Sequence, residues 1–571
     1  MSSNKVLNTI FTIQVIIFGL IVTGFLPRET AIFLAVGLII YIILAPIEDA
    51  TLFFVRSIPL FIAIPITANY DSLNTWRILS IILWLKLAHV TGLKYFLKIK
   101  EFSKYSKLLV ILFIFALLSV IPAIDKGEAI KRIIYFVNLS LVGMVVYYLV
   151  QRNTDLEAKL PSKASFVNRL VKNIAIPTII VTVVGFIQLA STYFIDIYQF
   201  MRIWGEGIQM RQFGVLWSEI AVRLGNTWFA YYGNQLSLRV FSLFPDSHSF
   251  PQFVLLGLPA LFAISLLPLW KLIRPRQAFG EAGEIGNWKL IQMIHARMNI
   301  SILWVVAAFL IAILSGTRGI WAASAGVIFV IFLVLYWLNR DEKKIKNKIT
   351  SHYDRVNMLP KENQGSSYYK NIFKYISLYM LVFFLLFAVA YPIFVSPQFL
   401  LSKGDWGLFG ERIKSIIDFG ETSNSQRIEI WRASLESIKN RPLLGVGIGN
   451  FPVVLKQNIF LARAGSSAHN IYLHIAAEMG ILALVTTIWF LWLVFKKSYE
   501  NFINSTLYPL HDRGVDTMSE NGLTMIYFGA TLIFVPWVLI YSLTDVALFD
   551  ERAFLFFVTT MSIILSNKNP E

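Results

Sequence analysis

The sequence predicts an all-α integral membrane protein with about 12–14 transmembrane helices and one large helical loop on the extracytoplasmic side. Two observations carry that class and a third orients it. Of the 571 residues, 56% are hydrophobic and only 15% charged, and the mean hydropathy is +0.63, far outside the range of water-soluble domains. The apolar residues gather in runs of about 17 or more, the length that crosses a hydrocarbon core as a helix. Lys and Arg collect in short loops, which marks those loops as cytoplasmic.

In chain order the runs fall near residues 9–25, 30–47, 51–67, 76–91, 107–123, 131–150, 173–194, 249–269, 299–315, 318–337, 372–395, 470–495, 523–545 and 551–566. The first is read as retained, because no small-residue cleavage site follows it and Pro27-Arg28-Glu29 leads straight into the next. Basic clusters at Lys94 to Lys107, Arg152 to Lys172, Lys271 to Arg297 and Arg340 to Lys348 then share one side with Lys496, Lys497 and both termini. Glu48 and Asp49 interrupt this pattern, although acidic residues weigh little in it. The chain divides into N-terminal helices (1–194), an interfacial loop (195–248), helices 249–395 with a cytoplasmic linker at 341–370, a large extracytoplasmic loop (396–468) and C-terminal helices (469–571). The interfacial loop is aromatic, with Trp204, Phe213, Trp217, Trp228, Tyr231 and Tyr232 suited to helices lying at the membrane surface.

A net charge of +17 does not point to nucleic acid, since no soluble module interleaves aromatic and basic residues. In a polytopic chain such charge anchors loops against anionic membrane lipids. With no cysteine, disulfides, thiolate metal sites and cysteine nucleophiles are excluded.

Chemistry-bearing residues concentrate between Gln426 and Gly480. Ile428, Trp431, Leu435 and Ile438 recur at helical spacing and predict a helix with one buried stripe, while Arg427, Arg432, Glu436 and Lys439 fall elsewhere on the wheel. Ser423 and Gln426 have capping-box spacing, which places Arg427 in or near the first turn. Pro442 follows the helix, and Gly445, Gly447 and Gly449 permit a tight turn. These glycines are no dinucleotide fingerprint, because they follow a helix outside any βαβ unit, but their N–H groups could face an anion. His469 and Asn470 precede an apolar run from Ile471 past Phe490, which puts His469 at a membrane boundary.

Arg427 with Trp431 four positions on, then PLLGVGIGNF from Pro442 and AHNIYLHIAAEMGIL from Ala468, together with SGTRGIW from Ser315, resemble the signature region of the O-antigen ligase and O-antigen polymerase superfamily of bacterial membrane glycan transferases. The resemblance implies a C-type glycosyltransferase architecture in the bacterial cytoplasmic (inner) membrane, and the Lys/Arg distribution puts the motif residues, and with them the expected active site, on the extracytoplasmic side. The resemblance also implies a glycan donor carried on polyprenyl (undecaprenyl) diphosphate, inversion at the anomeric carbon, and no metal or cofactor. The acceptor it implies is lipid A core, a growing glycan or a protein, and the shared motifs do not choose among them.

Such a transfer leaves an anionic diphosphate at the membrane surface and takes a proton from a sugar hydroxyl. Glu29, Asp71, Asp125 and Glu128 are too scattered to hold a metal, whereas arginine grips phosphate bidentately and stays charged. Arg318, in a sharp connection between two apolar runs, is the first catalytic candidate, against snorkelling to headgroups or a structural ion pair. Arg427 would close on the same anion, against an ordinary solvated helix face. His469, with an ordinary pKa of about 6.5, is the candidate general base, against a histidine that merely caps the following helix. Arg239 resembles the arginine that precedes an Asp-Pro-Asn type element in relatives. Here Pro245-Asp246 reverses the order, and His248 has no counterpart. Arg239, His248, Glu478 and Tyr472 are assigned to diphosphate or glycan binding, Glu478 because a carboxylate inside an apolar run needs a partner or a cavity. Tyr472 has packing as its simpler role. For Arg56 and Lys86, lipid phosphate and structural pairing stay open. The rival from another class is a transporter of the same lipid-linked glycan, which predicts ionisable residues at mid-bilayer and discontinuous helices.

Overall fold

The computed structural model describes residues 3–67, 73–92, 104–157, 165–215, 227–232, 235–273, 287–354, 378, 381–383, 385–401, 422–457, 467–507 and 515–566. The N-terminal part contributes α1 (Ser3–Val22), α2 (Thr30–Leu44), α3 (Ile47–Ser57), α4 (Thr75–Thr91), α5 (Lys104–Leu118), α6 (Lys126–Glu157) and α7 (Phe166–Ser191). After these come α8, a helical segment over 197–213 whose middle, Met201–Gln209, is wound as a π-helix, then α9 (Ser249–Ile273), α10 (Asn287–Leu314) and α11 (Arg318–Asp354). The C-terminal part holds α12 (Leu381–Val395), α13 (Thr422–Asn440), α14 (Ile471–Met479), α15 (Ile481–Leu507), α16 (Val515–Tyr541) and α17 (Glu551–Ser566). Two antiparallel ribbons complete the described residues, β1 (Ala63–Ile64) with β2 (Leu73–Asn74) and β3 (Phe229–Tyr232) with β4 (Gln235–Leu238).

This is an all-α integral membrane protein. Among the described residues, 7 helices are long and apolar enough to cross a membrane, and three shorter apolar helices accompany them. The centre is α9 packed along α16, with α7, α10, α11, α15 and α17 around them. The apolar windows of α9 and α16 are 89% and 83% buried, against 33% for α11, so the first two are core helices and the last keeps a lipid-facing side. Gly257 of α9 lets α7 approach, since a Cβ there would overlap the Thr178 side chain, the close contact small residues permit between membrane helices.

Two expected spans differ in the structure. The run at 51–67 is no crossing helix: α3 ends at Ser57, a turn with Pro59 follows, and β1 comes next. Its apolar side chains, Leu52, Phe53, Phe54 and Val55, are buried in protein, and an 11-residue helix is too short to span. The run at 470–495 is broken at Gly480 into the nine-residue α14 and the long α15. The aromatic loop is also more internal than expected. Trp204 and Trp228 are buried, and Trp228 stacks on Phe241 at 4.8 Å, while Trp217 lies outside the described residues.

Long-range pairing resolves the odd charges. Arg169 bonds both Glu48 and Asp49, so the acidic loop is neutralised by a residue from a basic loop expected on the same side. Lys86 donates to the carbonyls of Ile42 and Ile43, both at 2.7 Å, and to that of Ala45, which caps the C-terminus of α2 with a cation. Arg56 bonds Asn173 and Asn8. Both cations therefore have structural partners.

Candidate functional site

Loops from distant parts of the chain meet at one end of the bundle. The Ile471 N–H donates to the Ser542 carbonyl at 2.9 Å, joining the start of α14 to the end of α16. Thr317 of the SGTRG turn donates to the Ser247 carbonyl at 2.7 Å and accepts from Arg239 Nη2 at 3.4 Å. Gly319 packs so closely on Tyr541 and Thr544 that a Cβ would overlap both. The Trp228 indole donates to the Pro245 carbonyl at 2.9 Å, which holds the Pro-Asp-Ser-His element beneath the SGTRG turn.

At the centre of these loops is a carboxylate that motif reading did not select, Asp545. Its Oδ2 is 2.8 Å from His248 Nδ1, and its Oδ1 accepts the N–H groups of Val546 and Ala547. Burial works to raise its pKa, but His248, by charge and hydrogen bond, and then His469 and Arg427 outweigh it and hold the carboxyl below the usual range. No spacing around Asp545 distinguishes it in sequence; the one signal was an acid in a short connection between two apolar runs.

His469 stands beside this pair in a left-handed conformation, φ 45°, a region sparsely used by residues other than glycine. The next residue explains the geometry: Asn470 caps α14, its Oδ1 accepting from Tyr472 N at 2.9 Å and Leu473 N at 3.0 Å. Capping is therefore done by Asn470 and not by His469. Its Nδ1 is buried with no hydrogen-bond partner among the described residues. Burial lowers its pKa, Asp545 opposes that, and Arg427, His248 and His474 lower it further, so the imidazole is neutral near pH 7.

Arg427 lies near the helix start, as expected, but on another face. Helix α13 begins at Thr422, which puts Arg427 in its second turn. Leu435, expected in the buried stripe, is 56% exposed, whereas Ser434 and Ile438 are buried. The inward face runs through Arg427, Trp431, Ser434 and Ile438, and the Trp431 indole fastens it to the Ala468 carbonyl at 2.9 Å. The guanidinium thus shares the helix face that meets the His469 loop. Arg318, partly buried, is the first residue of α11, where the helix N-terminus adds its own attraction for anions.

Glu478 and Tyr472 lie on α14, engaged with protein. The Tyr472 hydroxyl donates to the Leu539 carbonyl at 2.9 Å. Glu478 is buried, lies 3.5 Å from His474 and accepts from the Phe451 N–H at 3.2 Å. The glycine turn commits most of its N–H groups to protein: Val446 and Gly447 donate to the Ala477 and Glu478 carbonyls, Gly445 to that of Arg441, and Ile448 to Ser119 Oγ. Its role is to clamp the end of α14. Gly480 has φ 90°, and a Cβ there would overlap the Leu443 carbonyl. Gly480→Ala is expected to cost about 1–3 kcal/mol from the backbone conformation alone, seen as a lower unfolding temperature in detergent, while Gly19→Ala, where a Cβ meets nothing within 4 Å, leaves it unchanged or raises it. Equal behaviour of the two variants would remove the clamp.

Fold and site define a class: a multi-pass helical membrane protein that gathers arginines, a neutral histidine and a histidine–carboxylate pair at one end of its bundle. Among the described residues no three His, Asp or Glu side chains converge as a metal ion would need. Residues 303–488 match the family described as O-antigen ligase, which bears out the resemblance to the O-antigen ligase and polymerase superfamily. The matched stretch contains Arg318, Arg427, His469, Tyr472 and Glu478, and lies apart in sequence from Arg239, His248 and Asp545. No individual curated protein matches the chain.

Proposed function

We propose that the protein transfers an oligosaccharide from a polyprenyl diphosphate carrier to an acceptor hydroxyl on the extracytoplasmic face of the bacterial inner membrane, in the manner of an O-antigen ligase. The observation that carries this is His469, with a buried, unpartnered Nδ1 and Arg427 within electrostatic reach. In the reaction, the acceptor oxygen forms a bond to the anomeric carbon as the bond from that carbon to the diphosphate oxygen breaks. The hydroxyl proton passes to His469 Nδ1, and the electron pair leaves on the diphosphate. Attack from the face opposite the leaving group inverts the anomeric centre. Arg318, Arg427 and Arg239 stabilise the charge that gathers on the leaving diphosphate, each through bidentate N–H contacts, and no metal is required. Asp545 and His248 hold the His469 pocket and balance its charge.

The test is transfer in reconstituted membranes from a polyprenyl diphosphate-linked oligosaccharide, with lipid A core, glycan and protein acceptors offered separately. Free polyprenyl diphosphate released as glycan appears on one acceptor, at the same rate in excess chelator, is the expected result. Movement of the intact lipid-linked glycan across the bilayer without bond cleavage would make the protein a transporter, and activity restored only by added metal would remove the arginine mechanism.

A further inference from the structure

Two arginines that the transfer chemistry does not use stand together near the same end of the bundle. Arg77, near the start of α4, and Arg132, in the second turn of α6, both place their guanidinium groups over the ring of Tyr135, at 5.6 and 5.9 Å from its centroid. Arg77 also lies 5.4 Å over Trp76, and its Nε is buried without a hydrogen-bond partner. Among the described residues neither arginine makes an ion pair.

The acids nearby do not explain them. Glu551 accepts from Asn74 Nδ2 and the Trp76 indole, both at 2.6 Å. Asp550 caps α17, accepting from Arg552 N at 3.0 Å and Ala553 N at 3.2 Å. Arg552 is itself held by the carbonyls of Leu243 and Phe61 and by the Phe213 ring, 4.4 Å away. Each acid thus has close partners of its own, as Glu128, beside the Arg132 stem, has Lys131; Arg77 acts on Glu551 by charge, and among the described residues neither guanidinium is taken up by an ion pair. A cation stacked on an aromatic face still presents its N–H edge to an anion.

The location relates the pair to His469. The Tyr135 hydroxyl donates to the Phe549 carbonyl at 2.9 Å, and the Phe549 ring lies 6.1 Å from that of His474. The Arg132 Cβ lies where a side chain at Gly449 would meet it, beside Glu128, two residues before Phe451, which stacks on His474 at 4.8 Å. Helix α14 therefore carries the His469 loop at its N-terminal end and, about one turn (~5.4 Å) further along, the surroundings of Arg132. In a displacement the base sits on the side of the incoming hydroxyl, opposite the leaving group, so cations near the base's helix that do not hold the diphosphate are available to the acceptor.

We propose that Arg77 and Arg132 form a second anion-binding site, which takes a phosphate or carboxylate group carried by the acceptor and so places its hydroxyl at His469. The assignment to the acceptor rests on the transferase reading; the anion site itself does not.

The first experiment is calorimetric titration of the full chain, in phosphatidylcholine nanodiscs, with inorganic pyrophosphate. Two sites are expected in wild type, one lost in Arg77→Ala with Arg132→Ala and the other lost in Arg318→Ala with Arg427→Ala. Arg77→Lys with Arg132→Lys, which keeps the charge, is expected to retain the second site. A single site indifferent to Arg77 and Arg132, or loss of the second site in the lysine pair as well, overturns the proposal. Repeating the titration in nanodiscs containing phosphatidylglycerol separates the sources. An unchanged second site supports an acceptor anion, and its loss assigns the arginines to a lipid headgroup, against the proposal. Transfer to a lipid-anchored oligosaccharide with and without a phosphate monoester then tests the role. The phosphorylated form is expected to have a KM about tenfold lower, a preference abolished in the double alanine variant. Absence of transfer to either form in wild type counts against the transferase reading, and the pyrophosphate titration still decides the site.

Discussion

His469→Asn is expected to slow transfer by about 10²- to 10⁴-fold, the usual contribution of a positioned general base, with expression and unfolding temperature retained. Asparagine suits the test because His469 has φ 45° and asparagine is one of the residues that accept a left-handed backbone, so the base is removed without changing the local fold. Alanine would confound the two. The pH profile supplies an independent check. A base must be neutral to act, so kcat/KM falls by about tenfold per pH unit below its folded pKa. Burial and the neighbouring Arg427, His248 and His474 lower that pKa, which moves the acid limb below the ordinary histidine value of about 6.5. Asp545 pulls the other way, and Asp545→Asn is therefore expected to shift the limb lower still. An acid limb above 6.5, or one unmoved by Asp545→Asn, would assign the titration to another group.

Arg318→Ala and Arg427→Ala are each expected to lower kcat/KM by about 10- to 150-fold, the equivalent of one charge-assisted hydrogen bond of about 1.5–3 kcal/mol. If both grip one diphosphate, the double variant loses less than the product of the two factors, because the anion reorients once either contact is gone. Lysine at either position restores charge but not the bidentate fork, and partial recovery is the expected result. Full activity in both alanine variants would leave the arginines as headgroup or structural contacts, and strictly multiplicative losses would place them on different groups.

The physics of each kind of inference explains what was legible before folding. Membrane solvation acts residue by residue, so the apolar runs of α7, α9, α11 and α16 identify spanning helices from composition and length alone. The motifs around Arg318, Arg427 and His469 were visible for a related reason: glycine, proline and capping residues constrain the local backbone. Local signals misled where the deciding contact was distant. Pattern alone set Arg427 outside the buried stripe, because Leu435 is apolar; contact of Trp431 with Ala468 turns the helix so that Arg427 faces inward and Leu435 is exposed. The run past Gly480 reads as one helix, and the clamp from Pro442 to Gly447 breaks it.

By itself, then, the sequence determined the all-α membrane class, the apolar helices and the short stretches where cations and a histidine concentrate, since these depend on side-chain solvation and local backbone preference. Only the tertiary structure decided that Asp545 pairs with His248 across roughly 300 positions of chain, that Asn470 and not His469 caps α14, and that Arg77 meets Arg132 at Tyr135. Such meetings are set by how helices pack, through Gly257 against Thr178 and Gly319 against Thr544, and packing is a property of pairs of surfaces that no single stretch of sequence contains.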